Sequence, residues 1–425
     1  MLFAMVASVF LPLFSRQALL AGTPLPTDAP SPTAPPAVDI NTISFDQVYL
    51  HPSGLFTVAE PSGWSQVQTS SNSASAQVNF SNNTALSVVE AYIQVPSTLP
   101  KTTQELQDFF KQSDLEASWS NYTTRSEAAR RLDGDKVIID FNLTLGTQPL
   151  IARHEAWTDG QWIYVVRVVT PANAPDMLKA MLDKEIPTLK PNKQFAGTPI
   201  DWNAYFDPKD RHIIRYPKAW TLADSAPGLP ASITSDNLTL RVSAQDGAVK
   251  DDAAAQAWVQ SAQAGATILS ATAVQRQEGS GFAVAYTFKN ADGDSQSGLA
   301  VLLNGANNRL HVANLRLNAA NVDLNGDAGK TQFADAVQSM GTFSLMPTLT
   351  LPLPPTATPI PTVPPTATVE VTNEVTAEVT VQAAPTGTPT PAATATPKPS
   401  DTPAPTATPK PSDTPTSQTT PESTP

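Results

Sequence analysis

From about residue 39 to residue 346 the chain reads as short runs in which apolar and polar positions alternate. In a few places the alternation gives way to apolar residues three and four apart. Period two marks strands with one buried face, and three-four spacing marks the apolar face of a helix. In the first half the strand signals fall at 55–58, 76–80 and 86–93. Thr102-Thr103-Gln104-Glu105 follows, a capping box in which a Thr hydroxyl takes an orphan backbone N–H and Glu105 reaches back. Leu106, Phe109 and Phe110 then give that helix its apolar face. The period returns to two at 123–129, 136–143, 150–156 and 162–169, with turns at Asp133-Gly134 and Asp159-Gly160. A last helix, entered at Pro175, carries Leu178, Met181, Leu182 and Ile186.

The second half follows the same order. Strand signals at 213–216, 231–234 and 238–244 precede a helix from Asp251-Asp252 with Ala255, Trp258, Val259 and Ala262 on one face. Strands at 268–277, 282–288, 298–303 and 310–317 then lead to a helix with Phe333, Ala336, Val337 and Met340. A strand, a proline and a tryptophan three positions on, Pro61-Ser62-Gly63-Trp64, recur as Pro217-Lys218-Ala219-Trp220. Proline ends a ladder, and the Trp beyond it can fold back over the sheet. Gly160-Gln161-Trp162-Ile163-Tyr164-Val165 pairs in the same way with Asn307-Asn308-Arg309-Leu310-His311-Val312. Each half reads βββ-α-ββββ-α. Strands joined by tight turns make antiparallel sheets, so the expected class is α+β: two tandem sheets, each covered by helices in an α/β/α sandwich. Domain 1 spans 39–190, a linker 191–202, and domain 2 spans 203–346.

This order of elements, the early Pro-x-x-Trp and the late Gly-x-Trp-Ile-Tyr strand before a closing helix resemble the PsbP-like family of extrinsic photosystem subunits and their bacterial relatives. The resemblance covers both repeats and implies non-enzymatic binding or assembly domains. It carries no ligand residue over, because the matched positions read as core.

Composition adds the flanks. Of 425 residues 41 are proline, clustered near residue 30 and beyond Pro347. The segments 23–38 and 347–425, rich in Thr, Pro, Ala and Ser, bury too little to order themselves and are expected to be a spacer and a disordered, extended stalk. The tail repeats Thr-Ala-Thr-Pro-Lys-Pro-Ser-Asp-Thr-Pro from Thr394 and from Thr406. Residues 2–14 form an apolar run of signal-peptide length followed by Ala21-Gly22, so 1–22 is expected to be a signal peptide or N-terminal anchor. Thr23 stands where an acylated Cys would be, and the chain has no cysteine, which excludes disulfides, thiol catalysis and Cys-zinc sites. A formal net charge of −12 argues against nucleic acid.

Candidate chemistry is sparse. The four histidines, His51, His154, His212 and His311, are scattered; His51 and His212 sit at matching places before the Trp-bearing strand and suit a structural role. No nucleophile elbow, zinc helix or phosphate loop occurs in the sequence. Asp323, Asn325 and Asp327 place oxygens at alternate positions, as a Ca²⁺ loop would, but Ala328 and Ala334 stand where Gly and a bidentate Glu are needed. The competing reading is a loop ending in Asp327 as N-cap of the last helix. The seven tryptophans read as core, with Trp157, beside a turn, the one to watch as a binding surface. No cofactor is expected. The expected function is a non-catalytic, exported protein, secreted or cell-surface associated, offering a surface to a protein or small-molecule partner, with cell-wall association through its tail. An extracytoplasmic hydrolase or carbohydrate-active protein, and a structural envelope component, are the alternatives.

Overall fold

The structure is a computed structural model and describes residues 39–64 and 66–351. Residues 1–22, expected to be a signal peptide or N-terminal anchor, the expected spacer 23–38 and the tail beyond 351 lie outside the described residues.

In the first repeat the strands are β1 (Gln47–Leu50), β2 (Phe56–Glu60), β3 (Gln66–Ser71), β4 (Ser75–Asn82) and β5 (Ser87–Gln94). Helices α1 (Thr103–Phe109) and α2 (Gln112–Ser118) precede β6 (Thr124–Asp133), β7 (Lys136–Leu145), β8 (Gln148–Thr158) and β9 (Ile163–Pro171). Helix α3 (Pro175–Glu185) and the short β10 (Lys190–Pro191) close the repeat. The main sheet has seven antiparallel strands in the order β3-β4-β5-β9-β8-β7-β6. Strand β9 sits at its centre because its sequence is apolar on both faces, and every one of its nine residues is buried. The meander β6 to β8 turns through two-residue loops in which Gly134 and Gly146 take φ of 61° and 62°, a conformation that costs glycine nothing.

The Pro-x-x-Trp strand is not part of this sheet. Strand β2 pairs with β1 and β10 in a separate three-stranded sheet. That sheet and α3 cover one face of the main sheet, where Trp64, Phe80, Ile93, Val166, Met181 and Leu182 share a core. On the opposite face Leu106, Phe110, Leu115 and Trp119 from α1, α2 and the turn after them pack over Val137, Ile139 and Phe141. Each such side chain contributes about 1.5–3 kcal/mol by leaving water. The cap forms as read: Thr102 Oγ1 accepts from Glu105 N at 3.1 Å, while the Glu105 carboxylate reaches to Lys101 N at 2.8 Å, one residue earlier than expected. The expected sandwich is only half built. Helices α1 and α2 cover β6–β9, and the β3–β5 half of that face carries no helix because its own side chains are polar.

The second repeat contains β11 (Asn203–Asp207), β12 (His212–Tyr216), β13 (Thr221–Leu222), β14 (Ala231–Ser235) and β15 (Leu238–Asp246). Helix α4 (Asp252–Ala262) precedes β16 (Thr267–Arg276), β17 (Gly279–Lys289), β18 (Ser295–Asn304) and β19 (Arg309–Leu317). Helices α5 (Asp327–Gln332) and α6 (Ala334–Thr342) and the short β20 (Ser344–Leu345) follow. The seven-stranded order β13-β14-β15-β19-β18-β17-β16 repeats that of the first sheet, and β11-β12-β20 is its small partner. Asp251 caps α4, its Oδ1 accepting from Ala254 N at 2.7 Å. The single closing helix read from the sequence is broken at Phe333, whose backbone (φ −123°, ψ 48°) leaves the helical region.

Both repeats lie within one unit. Ile213 of β12 belongs to the first repeat's core. Buried Arg215 donates to Ser53 O (2.6 Å), Pro199 O (2.6 Å) and Thr198 Oγ1. Burial pushes its guanidinium down to about 9. Gly54 lets the two backbones close, since a Cβ there would stand 2.7 Å from Ala204 Cβ. The expected linker 191–202 is strapped into this joint, with Phe195, Ile200 and Trp202 buried.

Candidate functional site

The bare half of the first sheet forms the floor of a concavity of about 1190 Å³. Strand alternation builds it. In β4, Ala76, Val78 and Phe80 turn into the core, so Gln77, Asn79 and Ser81 face the opposite way; in β5, Val89, Ala91 and Ile93 turn inward, so Glu90, Tyr92 and Gln94 join them. Trp119 and Tyr122, just after α2, wall one side, and Leu86, Leu145 and Leu150 form an apolar end. Lys218, from the second repeat, stands on the rim.

One cross-strand row carries the charges. Gln68, Asn79, Glu90, Arg167, His154, Ile139 and Arg130 lie side by side across the strands from β3 to β6. Arg167 Nη1 is 3.0 Å from Glu90 Oε2, with the two side chains only 6% and 11% exposed. Arg167 Nη2 donates to Ser118 Oγ at 3.0 Å, and its guanidinium lies 3.5 Å from the centre of the Trp119 ring. Gln77 Nε2 donates to Glu90 Oε1. Burial raises the Tyr92 hydroxyl pKa and pushes that of Tyr122 up to about 12, so both stay protonated. Behind the pair His154 is fully buried with both ring nitrogens unpartnered, edge-on to Phe110 at 4.6 Å. Burial, then the positive charges of Arg167 and Arg130, hold its pKa well below the usual histidine value. The Glu90 carboxylate is committed to Arg167 and Gln77, and His154, farther along the same face, is sealed under Phe110. The face can therefore bind, while the groups that would move a proton are occupied or enclosed.

The sequence-derived candidates lie elsewhere. Asp323 Oδ1 accepts from Ser270 Oγ (2.8 Å) and Asn325 N (2.9 Å). Asn325 Nδ2 donates to Ser270 Oγ and Ala283 O, each at 3.1 Å. The Asp327 side chain is fully exposed. Asp323 Oδ1 and the Asn325 amide are thus committed to Ser270 and nearby backbone, and among the described residues no group of three or more His, Asp or Glu could hold a metal ion. Asp327 is the first residue of α5, not its cap; the cap position is Gly326. Trp157 is half-buried, stacks on Tyr164 at 5.6 Å and faces the α3 side of the sheet, away from the concavity. Trp64, Trp119, Trp162 and Trp202 are buried, and Trp220 and Trp258 pack at the edges of cores. His51 bonds Ser53 Oγ (2.8 Å) and Gln77 O (3.0 Å), and His212 Nδ1 meets His311 Nδ1 at 3.3 Å; both positions hold local structure.

Sequence reading missed Glu90, Arg167 and Trp119 as a set. The signal was present: one charge, of opposite sign, interrupts each of two otherwise apolar strands, Val88-Val89-Glu90-Ala91-Tyr92 and Val165-Val166-Arg167-Val168-Val169. Buried single charges demand each other. Lys218 carried no such signal, since only the joint between repeats brings it to the rim.

No protein-family model and no curated protein matches the chain. Among solved structures, the solution structure of cyanobacterial PsbP (CyanoP) from Synechocystis is similar at 18% identity over 35% of this chain and 96% of that one, with a TM-score of 0.26. A protein from Bacteroides thetaiotaomicron is similar at 14% identity over 34% of this chain and 48% of that one, with a TM-score of 0.23. The Pseudomonas aeruginosa type VI secretion immunity protein TplEi, complexed with "L" peptide, is similar at 11% identity over 72% of this chain and all of that one, with a TM-score of 0.21. TM-scores of this size leave the activities and partners of those proteins with those proteins.

Proposed function

We propose that this chain is a non-catalytic, exported binding protein: tandem PsbP-like domains on a Thr/Pro-rich stalk, of which the first takes a ligand on its polar concave face. The observation that carries the reading is the 1190 Å³ concavity floored by uncharged polar side chains around the Arg167–Glu90 ion pair. Concave sites with a few fixed polar groups among apolar walls are what ligands occupy. A glycoside hydrolase of the usual kind would need two carboxyls near one another. The concavity offers one, Glu90, already paired. Among the described carboxyls the one that burial pushes well up is Glu185, which is alone with both oxygens unpartnered. Export is supported by the apolar run at residues 2–14, which has the length of a signal peptide. Among the described residues no helix is long and apolar enough to cross a membrane.

A thermal-shift screen of the full chain tests the binding reading. A ligand at a hundred times its Kd adds about 2.7 kcal/mol. Hits are expected to vanish in Asn79→Trp, which fills the floor; a screen whose hits all survive that substitution sinks the reading. Cell fractionation tests the compartment, with the protein expected in envelope or medium and recovery in cytosol counting against it.

A further inference from the structure

We infer that the ligand of this face is a short oligosaccharide bearing a carboxylate, its hydroxyls on the amide and hydroxyl floor and its acid group on Lys218. The inference rests on the concavity being the binding site. Three observations single out this chemistry. First, the charged residues that line the concavity are Glu90, Arg167 and Lys218. The first two neutralise each other, which leaves one exposed cation on the rim of a chain whose net charge is −12. No carboxylate lies within ion-pair distance of Lys218 among the described residues. One uncompensated cation suits one carboxylate, and it is too little for a nucleic acid or an anionic lipid surface.

Second, the floor offers donors and acceptors side by side: the amides of Gln77, Asn79 and Gln94 and the hydroxyls of Ser70 and Ser81. Vicinal hydroxyls present the same donor-and-acceptor pairs. A peptide reading its partner through backbone bonds would pair along the open edge of β3, whereas the floor itself displays side chains, with the ladders of β4, β5 and β9 paired on both sides. Third, Leu86, Tyr122 and Leu145 make one end apolar, a seat for the C–H face of a sugar ring. At about 1190 Å³ the concavity exceeds the range for one drug-sized molecule, so it has room for more than one ring.

Calorimetric titration of the full chain with trigalacturonate and with neutral maltotriose tests this. The acidic trisaccharide is expected to bind with Kd of roughly 10 μM–1 mM. Lys218→Gln is expected to weaken it about fivefold while leaving maltotriose unchanged, and raised salt should do the same. Asn79→Trp, and independently Ser70→Trp at the more exposed edge strand, are expected to abolish both, with near-UV circular dichroism reporting that each variant folds. Absence of saturable heat with trigalacturonate at about ten times the weaker Kd overturns the inference. So does binding indifferent to Lys218→Gln or to both Trp variants. If another compound class from the thermal-shift screen binds and is lost in Asn79→Trp, the saccharide inference fails while the binding reading stands. If nothing binds in an Asn79→Trp-sensitive way, both fail.

Discussion

Where the first repeat buries Arg167 the second has Asn314, and opposite it, where the first has Glu90, the second has Arg241. The two rows occupy the same place in sheets of the same strand order. In the second, Arg241 is exposed, and the Tyr286 hydroxyl donates to Asn314 Oδ1 at 2.7 Å. Tyr286 lies across Gly298, where a Cβ would be 2.2 Å from its Cζ. One repeat thus closes this row with a neutral hydrogen bond under an aromatic ring, and the other holds an ion pair beside an open floor. The frame does not need the charges, since its twin folds without them. Desolvating both ions costs several kcal/mol, which only good geometry offsets. That cost falls where the concavity is.

The largest test of this contrast is Glu90→Ala, which strands a buried guanidinium and is expected to cost about 3–5 kcal/mol in urea unfolding. Arg241→Ala at the matching place is expected to stay within about 0.5 kcal/mol. Equal losses would break the comparison.

Next is acid. Burial foremost holds both His51 and His212 at about 4, below the usual histidine value of 6.5. Between pH 6.5 and 4 the unfolded chain therefore binds more protons than the folded one, and stability falls as pH falls, by roughly 3 kcal/mol per histidine. His154 adds to the same loss. Denaturation midpoints measured across that window should flatten in His51→Gln and in His212→Gln by similar amounts, which would show that the repeats share this acid-sensitive device although they differ on the floor.

A smaller effect is expected at Gly298, which matches Ala152 of the first repeat. Gly298→Ala displaces Tyr286 and should cost about 2 kcal/mol, whereas Ala152→Gly should cost about 1 kcal/mol. Removing the helix caps, by Thr102→Ala or Asp251→Ala, should lower stability by about 1 kcal/mol in either repeat.

Much of the fold was legible because it is local. Alternation gave most strands of both main sheets to within a few residues, and the Thr102 and Asp251 caps announced α1 and α4. Strand β3, Gln66-Val67-Gln68-Thr69-Ser70-Ser71, was not legible: as an edge strand bordering a solvated face, it has no buried side to write a pattern. Its absence from the reading hid the floor. The membership of β2 in the small sheet was equally hidden, because pairing with β10 is settled by chain returning more than a hundred residues later. Helix α5–α6 read as one because Phe333 fits the apolar spacing even though its backbone breaks there.

The Arg215 plug has an outcome of its own. Aligning Pro61 with Pro217 puts Ala59 where Arg215 stands, so the first copy owns the socket at Ser53 but no plug to offer upstream. A contact with a fixed giver and a fixed taker propagates only if every unit carries both halves. A third unit fused ahead of Asp39 would meet Ala59 where a plug is needed, so this contact joins the two repeats and passes no further upstream.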